Sequence, residues 1–371
     1  MKKFLLLSAA LLCLLSLPSR SQGWFRQPTP NDTLRSTRIL PDGSVLFSIY
    51  APKASEVGIS GDLPWGVPIV FDKSDNGVWS AKVKGLGAGV YRYHFTVDGV
   101  SVYDPKAPLA GESTAILRIE PTGEEYFAMK DVPHGAIAQR YYNSKATGTV
   151  RRLHVWTPAG YEKSCDTLPV FYLVHGGGDT DNSWVGPGAA GNILDNLLAE
   201  GKIVPMVVVM PNGSIETTDM AGEVPIFVED LTGSIVPFIE ENYRVRTDPA
   251  HKALGGLSMG GWETLDTMLD HYEEFDYFLV FSSGWFPAQK EAFEAYGQKV
   301  KSIAPALNRT LKLLLFTQGG PEDIAYNNCK AMLSDIFDKY GVKYEYSEAP
   351  GGHTWLTWRR NLYEYAPRLF K

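Results

Sequence analysis

Between residues 35 and 120, hydrophobic and polar side chains alternate in short runs, the pattern of strands that are buried on one face. Turn-forming residues separate the runs at 41–43, 75–77 and 98–99. No helical periodicity competes with this alternation. Short alternating strands at such spacing predict a small β-sandwich. The predicted strands are 45–50, 57–59, 78–83 and 90–97.

From about residue 145 the pattern changes to apolar strands separated by helical stretches, which predicts a mostly parallel sheet with helices on both faces. The predicted strands are 151–157, 168–175, 206–211, 252–257, 277–282, 312–317 and 343–347. The predicted helices lie near 227–242, 260–272, 288–302, 325–341 and 359–369. Residues 121–144 are expected to link the sandwich (35–120) to this second domain (145–371), and a length of 371 residues suits two domains.

The first 21 residues have the features of a secretory signal: Lys2 and Lys3, an apolar run over 4–17, and small residues before the expected cleavage at Gln22. The run is shorter than the ~20 residues that span a bilayer, so we expect a secreted or periplasmic protein without a membrane anchor. The segment carries three basic residues and no acid, so its removal takes the formal net charge from −7 to −10. Such an acidic chain is an unlikely partner for nucleic acid.

Two cysteines, Cys165 and Cys329, remain once the signal is removed. An oxidising compartment permits a disulfide between them but does not require one. The two cysteines do not form a Cys-x-x-Cys arrangement, and the acidic residues show no clustered pattern of ligands. The sequence therefore predicts no metal site.

The segment 256–260 reads Gly-Leu-Ser-Met-Gly and matches the G-x-S-x-G motif. It follows an apolar strand and precedes a predicted helix, which is the context in which the motif forms a sharp turn and exposes the serine hydroxyl. The start of the helix also places the positive end of its dipole near that hydroxyl. We therefore predict that Ser258 is a nucleophile.

A serine hydroxyl needs a general base, and the chain has seven histidines. In this type of fold the triad follows the order serine, acid, histidine along the chain. Only His353 follows Ser258 in a loop directly after a predicted last strand, within the glycine-rich segment 350–353. His353 is therefore the predicted base.

The third member should be a carboxylate between these two residues that orients the imidazole and stabilises its protonated form. Asp323 follows the predicted strand 312–317 in the loop where the fold places its acid. Its neighbour Glu322 is the alternative. Gly177, in the His-Gly-Gly-Gly segment 175–178, and Met259 are the predicted backbone donors of an oxyanion hole, and His175 is expected to be structural.

Several segments resemble known families. The strings FSIYAPKASEVGISGD, GVWSAKVKGLGAGVYRYHFTVDG and YDPKAP resemble the family-48 carbohydrate-binding module, an immunoglobulin-like sandwich, over residues 38–118. The strings YLVHGGGDTDNSW, NILDNLLAEGK, PMVVVMPNG, GLSMGG and PGGHTWLTWRRNLYEYAPRLFK resemble esterase-D-like proteins, especially feruloyl esterases of carbohydrate esterase family 1, from about residue 140 onward. The resemblance implies an α/β-hydrolase fold behind the sandwich.

The same resemblance implies a secreted serine esterase that removes ferulate from plant arabinoxylan without a cofactor. Acetylated xylan, a catecholate siderophore lactone and acyl transfer between sugars stay open as alternatives, as does a glycan-binding protein without activity. The triad and the oxyanion hole all fall in the second domain, so the sandwich is expected to be accessory to catalysis.

A planar aromatic acyl group requires a flat apolar slot beside the nucleophile. The aromatic residues of loops expected to face Ser258 are Trp184, Trp285, Phe286 and Trp355. In the sandwich, Trp65 is a candidate for stacking on sugar, whereas Trp79 suits the core. Acids without basic residues populate loops 179–184 and 216–230, which disfavours an anionic siderophore.

Overall fold

The computed structural model describes residues 27–371 except 65, 67, 111–113 and 216–219. The predicted signal segment and Trp65 thus lie outside the described residues. The N-terminal part is a sandwich of two antiparallel sheets, ordered β1-β2-β5-β4 and β3-β6-β9-β8, with β7 paired to β6. Its strands are β1 (Thr37–Ile39), β2 (Val45–Tyr50), β3 (Val57–Gly61), β4 (Asp72–Lys73), β5 (Val78–Val83), β6 (Gly89–Val97), β7 (Val100–Val102), β8 (Leu109–Ala110) and β9 (Thr114–Ile119).

The sandwich core forms because alternate residues of facing strands point inward. Phe47 of β2 packs edge to face against Tyr93 of β6, which packs in the same way against Phe95, and all three side chains are buried. Trp79 of β5 is 8% exposed and belongs to the same core, where its Nε1 donates to the carbonyl of Ala51 at 2.9 Å. The expectation that Trp79 is a core residue is confirmed.

The second part is an eight-stranded sheet ordered β10-β11-β13-β12-β14-β15-β16-β17. Its first two pairings, β10 with β11 and β11 with β13, are antiparallel, and the remaining pairings are parallel. The strands are β10 (Ala136–Asn143), β11 (Val150–Thr157), β12 (Val170–Val174), β13 (Val207–Pro211), β14 (Lys252–Leu257), β15 (Tyr277–Phe281), β16 (Leu313–Gln318) and β17 (Glu345–Glu348).

Helices cover both faces of this sheet. They are α1 (Ala190–Ala199), α2 (Met220–Asp230), α3 (Val236–Asn242), α4 (Met259–His271), α5 (Lys290–Thr310), α6 (Tyr326–Met332) and α7 (Trp355–Tyr365), with π-helical turns at Leu231–Ile235 and Leu333–Asp338. Every residue of β12 is buried: Phe171 and Leu173 enter one apolar cluster, and Val170, Tyr172 and Val174 enter the other. The wholly apolar strands follow from this burial on two faces, and the predicted α/β-hydrolase architecture is confirmed.

The boundary of the predicted linker needs correction. Residues 136–143, assigned to the linker at 121–144, form the edge strand β10 of the large sheet. Only Tyr142 of this strand is buried, so the strand lacks the apolar pattern that marked the others. Helix α1 was not among the predicted helices, and α7 begins at Trp355, ahead of the predicted 359.

The sandwich and the second domain touch through α7. Leu356 of α7 packs against the sandwich core, and a side-chain carbon at Gly89 of β6 would lie 2.6 Å from its Cδ2 atom. Cys165 is exposed and Cys329 is buried, and both are free, so the disulfide that the sequence permits is not formed. Within the described residues, no helix is long and apolar enough to cross a membrane.

Candidate active site

Ser258 sits in the turn between β14 and α4, where its backbone adopts φ 52° and ψ −116°. This positive φ lifts the serine out of the strand and lets the chain turn sharply into the helix. The flanking glycines are required by space: a side-chain carbon at Gly256 would lie 2.3 Å from the carbonyl oxygen of Gly260, and one at Gly260 would lie 2.3 Å from that of His175. The motif therefore forms the sharp turn that the sequence predicts.

The structure brings the three predicted triad residues together. Nε2 of His353 lies 2.9 Å from Oγ of Ser258, and Nδ1 of His353 lies 2.8 Å from Oδ1 of Asp323. Asp323 follows β16, and His353 lies in the loop 349–354 between β17 and α7, called here the His353 loop. Glu322, the alternative acid, is exposed and lies beside Gly320 and Gly352.

Asp323 is 2% exposed and is held by a network of donors. Its Oδ2 accepts from the hydroxyl of Ser282 at 2.7 Å and from the N–H of Gly319 at 2.9 Å, while Oδ1 accepts from the N–H of Ala325 at 2.9 Å. Burial raises the pKa of this carboxyl, but the hydrogen bonds and the nearby His353 outweigh burial and hold the pKa below its usual value. Asp323 is therefore an anion at neutral pH.

Trp358 of α7 completes the surroundings of the base. Its ring stands edge-on to the imidazole of His353 with centroids 5.0 Å apart, and its Nε1 donates to Ser282 Oγ at 3.0 Å. The sequence reasoning did not single out Trp358. Its position could have indicated this role, because Trp358 lies five residues after His353, near the start of the predicted last helix.

The predicted oxyanion donors face the same cleft. Gly177 and Met259 line it together with Ser258. As the first residue of α4, Met259 has no acceptor within the helix for its N–H. His175 is fully buried, and its Nε2 accepts the N–H of Gly213 at 2.9 Å, which agrees with a structural role.

The cleft has two lobes that meet at Ser258 and His353. The larger lobe, about 560 Å³, is called here the polar lobe because it holds the charged side chains. It is lined by the glycine segment 176–178 and by Arg92, Asp179, Ser214, Glu223 and Trp358, and also by the apolar Leu257, Met259 and Ile324. The apolar lobe, about 140 Å³, is lined mainly by Met259, Trp262, Phe286, Ile324 and Ala325. An ester bound at Ser258 thus has an apolar compartment on one side and, on the other, a larger mixed compartment that contains charged side chains.

The prediction that Trp184, Trp285 and Trp355 contact substrate is wrong, because all three are fully buried. Trp184 and Trp355 pack edge to face with centroids 5.2 Å apart. Trp285 stacks on Tyr296 at 4.4 Å. Large apolar rings near a cleft gain more free energy in the core than at its wall, and sequence alone did not separate the two environments.

Of the expected aromatic residues, Phe286 does line the apolar lobe. The lobe also contains Trp262, whose ring packs edge to face against Phe286 at 5.3 Å. Sequence reasoning missed Trp262 as a lining residue. It lies four positions after Ser258 on α4, so the helical repeat places both residues on one face.

Arg92 was also missed, and it comes from the sandwich. This residue of β6 lines the polar lobe, and its Nη2 donates to the backbone carbonyl of His353 at 3.0 Å. The sandwich, which the sequence led us to regard as accessory to catalysis, thus contributes a residue to the wall of the cleft. The contact joins residues 261 positions apart, a separation that no local pattern reports.

Two of the acids in the neighbouring loops, Asp181 and Asp230, are paired with cations, and Glu223 lines the polar lobe. Asp181 is buried and pairs with Arg152 and His154, both at 2.7 Å, and the buried Asp230 pairs with Arg151 at 3.0 Å. Asp179 does reach the cleft, where burial raises its pKa although Arg92 opposes the shift. Glu216 and Asp219 lie outside the described residues. The acidic loops thus do not make the described cleft uniformly negative.

In the described part of the chain, no group of three or more histidine, cysteine, aspartate or glutamate side chains is arranged to hold a metal ion. The site consists of a serine, an imidazole and a carboxylate in a hydrogen-bonded row, set between two lobes. That arrangement is suited to acyl transfer through the serine.

Comparison with known families agrees with this geometry. Residues 144–369 match the model of the esterase family described as putative esterase. The chain belongs to this esterase family. Residues 35–112 of the esterase match carbohydrate-binding module 48, described as the isoamylase N-terminal domain.

A curated relative is the endo-1,4-beta-xylanase/feruloyl esterase of Xylanibacter ruminicola, 32% identical over 89% of the chain. The chain spans 45% of that relative's length. Among solved structures, the esterase is similar to a ferulic acid esterase of Anaeromyces mucronatus (TM-score 0.57, 21% identity, covering 67% of this chain and 95% of that one). It is also similar to the enterobactin esterase FES of Shigella flexneri (TM-score 0.64, 17% identity, covering 90% and 95%).

Proposed function

We propose that the chain is a serine carboxylic-ester hydrolase that acts through an acyl-enzyme on Ser258. The observation that carries the proposal is the row Ser258, His353, Asp323, joined by contacts of 2.9 and 2.8 Å, at the junction of an apolar and a polar lobe. Membership of the esterase family supports the reaction class.

The proposed reaction uses this row of residues in two successive acyl-transfer steps. His353 Nε2 takes the proton of Ser258 as Oγ attacks the ester carbonyl, and Asp323 stabilises the imidazolium that forms. The backbone N–H groups of Gly177 and Met259 are the proposed donors to the oxyanion. His353 then gives its proton to the leaving alcohol, and water repeats the sequence on the acyl-enzyme.

We propose a hydroxycinnamoyl ester, such as ferulate on plant arabinoxylan, as the substrate. The apolar lobe, with Trp262 and Phe286 at its wall, suits a planar aromatic acyl group, and the polar lobe suits the sugar on the alcohol side. The names of the Xylanibacter and Anaeromyces relatives point to the same acyl group. Export through the predicted signal would place the enzyme where such polysaccharides occur.

Hydrolysis of a catecholate siderophore is the second candidate. Its support is the similarity to an enterobactin esterase, which covers 90% of the chain and so extends across both domains. The expected argument from acidic loops against this substrate is weakened, because Asp181 and Asp230 are paired with cations.

The test measures kcat/KM for methyl ferulate, an acetylated xylo-oligosaccharide and a triscatecholate lactone at one pH. We expect the highest value for methyl ferulate. Phe286→Ala should lower kcat/KM for methyl ferulate by about tenfold and leave the acetyl ester within about threefold, because an acetyl group does not fill the apolar lobe. Phe238→Ala, on α3 and outside the residues that line either lobe, is the matched control.

A preference for the catecholate or the acetyl ester would replace the feruloyl assignment and leave the esterase proposal in place. Absence of hydrolysis of all three esters by the folded protein would overturn the esterase proposal itself.

A further inference from the structure

We propose that Arg92 of the sandwich is a positioning residue for His353, so that the sandwich completes the active site of the second domain. The inference rests on the proposed esterase function and deepens it. It assigns to the module a part in catalysis in addition to any binding of glycan.

Arg92 is itself held rigidly. Its Nε donates to Asp62 Oδ2 at 2.9 Å and its Nη2 to Asp62 Oδ1 at 3.1 Å, a two-point pairing that fixes the plane of the guanidinium. Asp62 directly follows β3, which pairs with β6, and the backbone N–H of Asp62 donates to the carbonyl of Arg92 at 2.8 Å. Both side chains are at least four-fifths buried.

The His353 loop needs such support because it is rich in glycine. Gly351 has φ +106°, and Gly352 follows it. Three successive carbonyls of the loop accept hydrogen bonds from three different segments of the chain. The carbonyl of Gly351 accepts from the N–H of Gly320 at 2.8 Å, and the carbonyl of Gly352 accepts from the hydroxyl of Thr357 at 2.7 Å. The carbonyl of His353 itself accepts from Arg92, at 3.0 Å.

A second contact of Arg92 reaches the same base. The guanidinium lies over the ring of Trp358, 5.2 Å from its centroid, and Trp358 in turn stands edge-on to the imidazole of His353. Trp358 also donates to Ser282, which donates to Asp323. Arg92 therefore braces both the backbone of the base and the ring that packs against it. Without Arg92, the imidazole of His353 should move away from the position in which it bonds to both Ser258 and Asp323.

The test compares Arg92→Ala with Arg118→Ala. Arg118 is an exposed arginine of β9 in the same sheet and does not line either lobe of the cleft. With a small acetyl ester, Arg92→Ala should lower kcat by about 10- to 100-fold with KM within about threefold, because a small displacement of a catalytic group slows the chemical step. Arg118→Ala should behave as the wild type. Arg92→Lys should recover only part of the rate, since an ammonium cannot reproduce the planar fork.

Two further measurements separate positioning from a loss of folding. Free guanidinium at low millimolar concentration should partly restore kcat of Arg92→Ala, whereas sodium at equal ionic strength should not. In protein labelled at histidine, the low-field Nδ1 proton of His353 that reports its bond to Asp323 should broaden or vanish in Arg92→Ala and persist in Arg118→Ala. If Arg92→Ala does not fold, Arg92→Met retains the aliphatic stem over Trp358 and serves in its place.

Unchanged kcat and an unchanged His353 resonance in the folded Arg92 variant would overturn the inference, as would a rise in KM alone. Failure of the proposed function would look different. If the protein were not an esterase, the wild type would hydrolyse no ester, but replacement of Arg92 would still change the His353 resonance.

Discussion

The hydroxyl of Ser282 donates to Oδ2 of Asp323 at 2.7 Å, on the side of the carboxylate opposite to His353. Ser282 directly follows β15, which lies between β14 and β16. Ser258, Ser282 and Asp323 therefore follow three neighbouring strands and lie together at the carboxyl ends of those strands. The bond fixes the rotation of the carboxylate and with it the direction of the Oδ1 atom that meets the imidazole.

Ser282→Ala should therefore lower kcat by about tenfold, because the loss of one hydrogen bond to an ionised group is worth about 1.5–3 kcal/mol and only part of it acts on the transition state. Steady-state kinetics with methyl ferulate would measure it. A variant with normal kcat would show that the other donors to Asp323 suffice.

Asp323→Asn should be far more damaging than Glu322→Gln. An amide at the orienting position favours the wrong imidazole tautomer, and in a serine–histidine–aspartate triad this change lowers kcat by about 10⁴. Glu322 is exposed, so its amide should leave kcat close to normal. The comparison of kcat for the two variants checks the assignment, and the opposite ranking would transfer the role to Glu322.

Ser258→Ala should fold and lose hydrolysis by several orders of magnitude, since binding and oxyanion stabilisation alone remain. Turnover of an aryl ester, with the circular dichroism spectrum as the control for folding, gives the answer. Near-normal turnover would remove Ser258 from the mechanism.

Asp266 makes stability depend on pH. Burial raises its pKa to about 6, although Trp285 and Tyr296 donate to it at 2.9 and 3.2 Å. Because the folded pKa lies above the unfolded value, the stability it contributes is present below about pH 4 and is lost as pH rises through about 6. Asp266→Asn should raise the free energy of unfolding by about 1–3 kcal/mol at pH 8 and by little at pH 4.

Denaturant unfolding at the two pH values measures this difference. Glu294→Gln removes an exposed acid of α5 and is the control. If Asp266→Asn raised the free energy of unfolding equally at pH 4 and pH 8, the pH dependence could not be assigned to Asp266.

The sequence predicted those parts of the site whose information is local. Ser258, Asp323 and His353 each follow a strand, and chain order then sets the expected roles. The aromatic residues show the limit: Trp285 and Phe286 are adjacent, yet one is buried against Tyr296 and the other lines the apolar lobe. Which of two neighbouring side chains points outward depends on packing from distant segments.

Arg92 and β10 were missed for two different reasons. The role of Arg92 depends on how the sandwich docks against α7, a contact between residues far apart in the chain. Strand β10 lies at the edge of its sheet with most side chains exposed, so its sequence carries little apolar periodicity. The central strands, buried on both faces, were recognised with boundaries close to those observed.

The positive φ of Ser258 lowers the thermal stability of the protein, although activity requires a serine at this position. A non-glycine residue in such a sparsely populated conformation lowers the free energy of unfolding by about 1–3 kcal/mol. The serine is retained there because its hydroxyl must project above the sheet. Glycine adopts these angles freely, so Ser258→Gly should melt at a higher temperature than Ser258→Ala while both are inactive. Directed evolution that selects this esterase for heat resistance alone would therefore favour loss of its nucleophile, and a selection for robust variants has to score turnover in the same round.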